Sequence, residues 1–329
     1  MKHQLLILGI LLLALLPAPI RADDAPTGSR EAWRHRRTPV FTISQGAPQH
    51  RCRDSLAVAG GPQEVICKFA YGPWDKDLED EDVEVFVRPE GSDAWRRLGV
   101  GRTGRGEHRD GTRDIRNLDG WMVFPIPGAA ALPPGRHRVR AVVQGDGAAV
   151  EADLWVLAPS HAVVVFDIDG TLTTGDSELT RELANAAAEE IYHPKIRAGA
   201  ADVIRARVAA GALPVYLTAR PDRLTNRTRA WLEAENLPAG PLQLQSSVAG
   251  ALSKPHTQRY KQRVVQALVD QGFTVVAAYG NAVTDIDAYL AAGLEPAHIF
   301  IVGPHRGEQG TVPIKDYREH LETLMNPTD

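Results

Sequence analysis

The hydrophobic pattern of the chain changes near residue 158. Before that point, short segments alternate between apolar and polar residues, most clearly at 82–88, 137–143 and 150–156. Alternation with a period of two residues is typical of strands that bury one face. Turn-forming residues separate these segments, and no long helical period occurs between residues 38 and 157. We therefore predict that residues 23–157 form a small all-β sandwich domain.

After residue 158, apolar runs alternate with segments of helical spacing. The apolar runs predict buried strands at 163–166, 213–217, 273–278 and 298–302. The segments of helical spacing predict helices at 177–192, 200–210, 221–235, 256–270 and 283–292. Such alternation is typical of an α/β fold, so we predict a doubly wound parallel sheet over residues 158–329.

The first 22 residues have the features of a secretory signal peptide. Lys2 supplies a positive end, residues 5–16 are apolar, and Ala22 is a small residue suited to cleavage. The apolar run is short for a bilayer-spanning helix, although an uncleaved anchor stays open as an alternative. Cleavage would remove Lys2 and Arg21 and take the formal net charge from -4 to -6, which argues against nucleic-acid binding. We expect a periplasmic or secreted protein.

The two cysteines agree with export. Cys52 and Cys67 lie close together in the first predicted domain. In an oxidising compartment we expect them to form a disulfide, and closing a loop of ~15 residues would contribute about 3 kcal/mol. Two buried free thiols are the alternative. Two cysteines alone are too few for a four-ligand zinc site of the usual kind.

Polar residues that follow the predicted strands, or that open the predicted helices, form a candidate site. They are Asp167, Asp169, Thr218, Arg220, Lys254 and Asp285. In a parallel sheet these points converge on one edge. Two carboxylates one residue apart can share a hard cation and still leave one oxygen free for attack. With a hydroxyl, a lysine and a further carboxylate, the set contains what phosphoryl transfer through a covalent intermediate requires.

These residues resemble, in the same order, the four motifs of the haloacid dehalogenase (HAD) superfamily of phosphatases. Within that superfamily the chain is most similar to the lipin-type, phosphatidate phosphatase-like domain, over about residues 160–305. The similar segments are 167–171 (DIDGT), 218–220, 240–244, 254–255 and 280–285. Residues 23–157 resemble no family that we can name from the sequence.

The resemblance implies a role for each catalytic position. Asp167 would be the nucleophile that forms an aspartyl phosphate, and Asp169 would protonate the leaving oxygen and then activate water. Thr218 would hydrogen-bond the phosphoryl group. Lys254 would neutralise both that group and Asp167. Lys261 is the alternative lysine, but we favour Lys254 because Lys-Pro opens a helix toward the edge of the sheet.

The resemblance also implies Mg²⁺ as the cofactor. Asp285, Asp167 and the backbone carbonyl of Asp169 would hold the ion. Arg220 would either grip a phosphate or head group or form a structural salt bridge. Asp287 would either support the metal from behind or cap its helix.

Neither insertion point of the α/β domain has room for a large cap domain, because each holds little more than a helix and a strand or loop. An open site suits a large or membrane-embedded substrate. We expect phosphatidate or a related lipid phosphomonoester as the substrate, with peripheral membrane contact. Two alternatives stay open: a phosphatase of a non-lipid periplasmic phosphomonoester, and a lipin-type domain that binds phosphatidate without hydrolysing it.

Overall fold

The computed structural model describes residues 25–29, 31–106, 115, 118–175, 194–246, 250 and 253–326. The predicted signal segment and the helix predicted at 177–192 lie outside these residues. Within the described ranges, no helix is long and apolar enough to cross a membrane.

The first domain is built from two facing β-sheets. A five-stranded sheet has the order β2-β10-β9-β6-β7, and a three-stranded sheet has the order β1-β3-β8. The strands are β1 (Arg51–Cys52), β2 (Ser55–Val58), β3 (Glu64–Lys68), β6 (Asp82–Arg88), β7 (Arg96–Arg102), β8 (Trp121–Pro125), β9 (Gly135–Val143) and β10 (Ala149–Leu157). Their inward side chains form one core, in which Val65 and Met122 from the small sheet join Val85 and Ala141 from the large one. This arrangement is a β-sandwich, as the alternating pattern predicts.

One part of the first domain departs from the prediction of strands alone. Residues Thr38–Gln45 form helix α1, which precedes β1, and a hairpin of β4 (Ala70–Tyr71) and β5 (Lys76–Asp77) lies beside it. Pro39 occupies the first turn of α1, where its missing N–H costs nothing. The helix is only 8 residues long, too short for a helical period to stand out in the sequence.

The second domain is an α/β unit with a six-stranded sheet in the order β13-β12-β11-β14-β15-β16. All of its strand pairs are parallel. The strands are β11 (Ala162–Asp167), β12 (Leu213–Pro221), β13 (Leu242–Gln245), β14 (Thr274–Gly280), β15 (Ile299–Val302) and β16 (Val312–Ile314). The helices are α2 (Ala200–Ala209), α3 (Thr225–Ala234), α4 (Lys254–Asp270), α5 (Val283–Ala291) and α6 (Tyr317–Met325). Separate apolar clusters cover the two faces of the sheet, which is the doubly wound arrangement expected.

The boundaries differ most at β12. We predict a strand that stops at residue 217 and a helix that starts at 221, whereas β12 continues to Pro221 and α3 begins at Thr225. The extension has a structural cause, because Thr218 and Pro221 both pair with β13 across a bulge. The bulge re-aims the intervening side chains, including that of Arg220.

Buried ion pairs join the two domains. Arg51 of β1 donates from Nε to Asp222 Oδ1 at 2.8 Å, and its two terminal nitrogens each donate to Asp75 at 2.7 Å. Asp54, which follows β1, accepts hydrogen bonds from Arg229 of α3 and from the backbone N–H of Leu242 in β13, both at 2.9 Å. The loop that follows Arg220 is therefore anchored to the sandwich domain.

The structure confirms the Cys52–Cys67 disulfide, which links directly paired residues of β1 and β3. In solution we expect alkylation without reductant to leave the mass of the denatured protein unchanged. After reduction the mass should increase by two alkyl groups, and the free energy of unfolding should fall by about 3 kcal/mol. Uptake of alkyl groups before reduction would show that the thiols are free.

Candidate active site

Asp167 lies at the carboxyl end of the central strand β11, and its side chain is only 3% exposed. One carboxylate oxygen, Oδ1, accepts a hydrogen bond from Lys261 Nζ at 2.6 Å. The other, Oδ2, accepts a hydrogen bond from the Thr171 hydroxyl at 2.8 Å. The strand order reverses at β11: β12 and β13 lie on one side of it, and β14, β15 and β16 lie on the other. Open α/β sheets bind ligands at such a switch point.

The turn after β11 brings Asp169 back over the edge of the sheet. Gly170 has φ +76°, a left-handed conformation that glycine adopts without steric cost. Its N–H donates to Thr173 Oγ1 at 3.0 Å, and its carbonyl accepts from Arg197 Nη2 at 2.8 Å. The sequence Asp-Gly-Thr thus gives a tight turn that is held from both sides.

Asp169 is held by two residues from the end of β12. Arg220 donates from Nη2 to Asp169 Oδ1 at 2.9 Å and from Nε to Oδ2 at 3.0 Å. Thr218 Oγ1 donates to the same Oδ2 at 3.0 Å. The Arg220 side chain is fully buried, whereas that of Asp169 is 15% exposed. Of the two roles open to Arg220, the structure shows the salt bridge.

Lys261 lies on helix α4 and is buried between two carboxylates. Its Nζ donates to Asp167 Oδ1 at 2.6 Å and to Asp285 Oδ1 at 2.5 Å. The other oxygen of Asp285 accepts the backbone N–H groups of Asn281 and Ala282, at 2.9 and 3.1 Å. Asp285 therefore orients the lysine and closes the turn before α5.

The pKa values of Asp167 and Lys261 are both raised, but for different reasons. Burial raises the pKa of Asp167 to about 7, opposed by the Lys261 ammonium and reinforced by the charges of Asp285 and Asp169. Burial alone would lower the pKa of Lys261, but the carboxylates of Asp167 and Asp285 outweigh it and raise that pKa above its usual value. The lysine is consequently a fixed positive charge beside Asp167.

The preference for Lys254 does not agree with these positions. Lys254 is exposed at the first residue of α4, seven residues before Lys261 and therefore about 10 Å away along the helix axis. Lys261, Val265 and Leu268 are buried on one stripe of the helix. A lysine on an apolar stripe is the sequence signal that could have identified Lys261.

The expected metal ligands are the carboxylates of Asp167 and Asp285 and the backbone carbonyl of Asp169, and the two carboxylates share Lys261 between them. Among the described residues, no group of three or more His, Cys, Asp or Glu side chains could hold a metal ion. Both oxygens of Asp285 are engaged by Lys261 and the backbone. The Thr171 hydroxyl that donates to Asp167 Oδ2 also lies 3.2 Å from the side-chain oxygen Oδ1 of Asn281.

Two residues of the site were not assigned roles from sequence, and one assigned residue lies away from it. Thr171 and Asn281 belong to the similar segments 167–171 and 280–285, but their contacts depend on the turns that carry them. Asp287 accepts a hydrogen bond from Gln309 at 2.9 Å, on the outer side of α5. It contacts neither Asp167 nor the first turn of its helix.

Comparison with known proteins identifies relatives of both domains. Residues 164–303 match the family model of the LNS2 domain of PITM 1-3, and residues 48–156 match the model of the PITM 1-3 beta-sandwich domain. The chain is similar to PITM 1-3 proteins over both domains. The segment for which the sequence suggested a lipin-type domain thus matches the LNS2 domain of these proteins, and the sandwich, for which we could name no relative from sequence, matches a domain of the same proteins.

The similar proteins are much longer than this chain. Membrane-associated phosphatidylinositol transfer protein 1 of Homo sapiens is 34% identical over 282 residues, which is 85% of this chain and 20% of that protein. Protein retinal degeneration B of Drosophila melanogaster is 32% identical over 310 residues, which is 92% of this chain and 22% of that protein. The chain therefore spans about a fifth of the length of these relatives. A substrate-bound phosphoserine phosphatase matches with a TM-score of 0.33 and 15% identity over 50% of this chain and 97% of that one, too distant a likeness to support a shared function.

Proposed function

We propose that this chain is a phosphomonoesterase that forms an aspartyl phosphate on Asp167 and acts on a phospholipid such as phosphatidate. One observation carries the proposal. A continuous chain of hydrogen bonds at the carboxyl edge of the sheet joins residues far apart in sequence: Asp167, Lys261 and Asp285. Asp169 lies in the turn directly after Asp167 and accepts a hydrogen bond from Thr218. A carboxylate beside a fixed positive charge, with a second carboxylate two residues away, is the arrangement that covalent phosphoryl transfer requires.

In the proposed reaction, an oxygen of Asp167 attacks phosphorus while the bond to the leaving alkoxide breaks. Lys261 offsets the charge that gathers on the phosphoryl oxygens, and Asp169 supplies the proton that the alkoxide takes up. Asp169 then takes a proton from water, which attacks the aspartyl phosphate and releases inorganic phosphate. Asp167 is restored and no co-reactant other than water is needed.

The residues around Asp167 Oδ2 fit a hard divalent cation. Asp167 Oδ2 and Asn281 Oδ1 are side-chain oxygens next to the same Thr171 hydroxyl, and Mg²⁺ takes few protein oxygens while keeping several waters. In this proposal those two residues would hold Mg²⁺, together with the Asp169 carbonyl that the HAD resemblance implies. Bound there, Mg²⁺ would neutralise charge on the phosphoryl group.

The lipid assignment rests on the names of the relatives and on the second insertion point. The similar proteins are called membrane-associated phosphatidylinositol transfer proteins, so their names refer to membranes and to a phospholipid. Among the described residues between Arg220 and Lys254, a short 3₁₀ turn, α3 and β13 belong to the core and add no lid. A site that the described residues of this insertion leave uncovered suits a substrate embedded in a bilayer. The disulfide supports action outside the cytoplasm.

A second candidate function is favoured by the state of Asp169. Its carboxylate forms a bidentate ion pair with the buried Arg220, and an ion-paired carboxylate is a poor proton donor. If Arg220 keeps this contact when the ligand enters, the site would bind a lipid phosphate without hydrolysing it.

One experiment separates the two functions. The purified protein is assayed for release of inorganic phosphate from phosphatidate and lysophosphatidate in mixed micelles, and from a nucleotide and a sugar phosphate. The proposal expects phosphate release, with the highest kcat/KM on a lipid. Binding to phosphatidate vesicles without phosphate release from any substrate would favour the binding function. A nucleotide or sugar phosphate as the best substrate would leave the phosphatase proposal intact and remove its lipid part.

Removal of divalent cations should abolish this activity. We expect EDTA to lower phosphate release to background and an excess of Mg²⁺ to restore it, because Lys261 alone carries one charge against a dianionic phosphate. The control is the same EDTA treatment and Mg²⁺ titration of the Asp287→Asn variant, which should respond like the wild type. Full activity in EDTA would contradict the metal proposal but not the role of Asp167.

A further inference from the structure

Helix α1 and the turn after β4 carry the most exposed apolar side chains of the first domain's described residues. Val40 is 71% exposed, Ile43 is 83% exposed and Trp74 is 85% exposed. Val40 and Ile43 are three residues apart on the helix and therefore lie on the same face. Soluble proteins rarely leave such side chains together in water unless they contact a partner or a membrane.

Direct contacts hold α1 against the turn that carries Trp74. The ring of Phe41 packs edge-on against Tyr71 with centroids 6.4 Å apart, and the Gly72 N–H donates to the Ala47 carbonyl at 2.8 Å. A Cβ at Gly72 would lie 2.0 Å from the carbonyl oxygen of Gln45, so only glycine allows this approach. The helix and the turn are thus packed against each other, so their exposed apolar residues lie in the same region of the domain.

The charges around this surface are mainly positive. Arg36, Arg37 and Lys76 are exposed and form no ion pair within the described ranges. The nearby acids are already matched by other cations: Asp75 by Arg51, Asp77 by Lys68, Glu79 by Arg105 and Asp80 by Arg34. A chain with a net charge of -4 therefore presents unmatched cations beside its exposed tryptophan.

We propose that Val40, Ile43 and Trp74, with Arg36, Arg37 and Lys76, form a surface that binds an anionic lipid bilayer. We call it the Trp74 surface. Tryptophan and aliphatic side chains enter the headgroup boundary, and neighbouring lysine and arginine side chains attract anionic lipids. Its α1 part precedes the region that matches the beta-sandwich family model, whereas Trp74 and Lys76 lie within that region.

The Trp74 surface is connected to the candidate active site. Asp75, next to Trp74, binds Arg51, and Arg51 binds Asp222, two residues after Arg220. Arg51 therefore links the turn that carries Trp74 to the loop after Arg220, so a bilayer bound at the Trp74 surface would be connected to that loop through Arg51. The inference thus deepens the proposed function. It rests on that function for the statement that the phosphate ligand comes from a membrane.

Vesicle binding tests the inference without using the catalytic site. The protein, with its amino terminus determined by intact mass, is sedimented with phosphatidylcholine vesicles with or without phosphatidylglycerol, a phosphodiester that is not a substrate for a phosphomonoesterase. We expect binding only to the anionic vesicles. Ile43→Glu and the pair Arg36→Glu with Arg37→Glu should each weaken it by about tenfold or more. Met325→Glu and Lys315→Glu, exposed positions of the other domain, should bind like the wild type.

Tryptophan fluorescence supplies an independent readout. Of the six tryptophans, Trp74 is 85% exposed, Trp33 is half-buried, and the others are buried. We expect anionic vesicles to shift the emission to shorter wavelength in the wild type and not in Trp74→Phe. Turnover of a soluble phosphomonoester should be unchanged in Ile43→Glu. If the protein binds these vesicles but has no phosphatase activity, the proposed function is wrong and the inference about the Trp74 surface is still supported.

Three results would overturn the inference. The first is equal vesicle binding by the wild type and by Ile43→Glu. The second is a dimer in solution that Ile43→Glu dissociates, without vesicle binding by either, which would assign the surface to a second copy of the chain. The third is a Trp74 that acrylamide cannot quench in the absence of vesicles, which would show that residues 1–24 or another part of the chain cover it.

Discussion

We expect Asp167→Asn to lower kcat for phosphate release by at least about 10³-fold while leaving KM within a few-fold of the wild type. The amide cannot form the bond to phosphorus, but it preserves the shape of the side chain. Its oxygen can still accept a hydrogen bond from Lys261, and its NH2 group can donate to the hydroxyl oxygen of Thr171. The measurement is steady-state release of inorganic phosphate from the best substrate of the panel, with circular dichroism to verify the fold.

The matched control for this variant is Asp287→Asn. It makes the same chemical change on the neighbouring helix α5, where the carboxylate accepts only a surface hydrogen bond from Gln309. Its kcat should stay within twofold of the wild type. Turnover by Asp167→Asn at the wild-type rate would show that another group attacks phosphorus, and the HAD mechanism would have to be abandoned for this chain.

Much of the fold follows from short-range pattern. The run before Asp167 contains consecutive apolar residues because β11 is buried on both faces, and the same holds for the apolar runs of β12 and β14. Parallel strands then dictate that the residues after them meet at one edge, which is why the positions of Asp167, Asp169 and Thr218 could be predicted together.

The choice between lysines required information that the sequence pattern lacks. A Lys-Pro pair correctly marks the start of α4, but a helix start indicates direction and not depth. Lys261 is buried because the helix packs its stripe of Val265 and Leu268 against the sheet. Only the height of that helix relative to Asp167 decides which turn reaches the carboxylate.

The joint between the domains could not be predicted either. Arg51 and Asp222 are 171 residues apart, and Asp54 and Arg229 are 175 apart. Neither pair has a local signature, because a buried acid and a surface acid look alike in a single sequence. The same limit applies to Asp285, because its position in the motif does not reveal its contacts with Lys261 and two backbone N–H groups.

We expect Lys261→Met to lower the free energy of unfolding by about 3–5 kcal/mol, because it leaves two buried carboxylates without their shared cation. The side chains of Asp167 and Asp285 are 3% and 0% exposed, so water cannot replace the ammonium. Urea unfolding at pH 7 measures the loss. Phosphate release should also fall to background, since the charge beside the nucleophile is gone.

The matched control is Lys254→Met, the same substitution on the exposed first residue of the same helix, which should change the free energy of unfolding by no more than about 0.5 kcal/mol.

The pH dependence of the stability loss in Lys261→Met makes the test sharper. Burial already raises the pKa of Asp167 to about 7, above its unfolded value of 3.8, so ionisation of Asp167 costs stability as pH rises between those values. Removing Lys261 takes away the group that opposes this shift. The deficit of Lys261→Met relative to the wild type should therefore be larger at pH 8 than at pH 5, where Asp167 can protonate. A larger deficit for Lys254→Met than for Lys261→Met, or a deficit for Lys261→Met that shrinks as pH rises, would mean that Lys261 does not neutralise this pair.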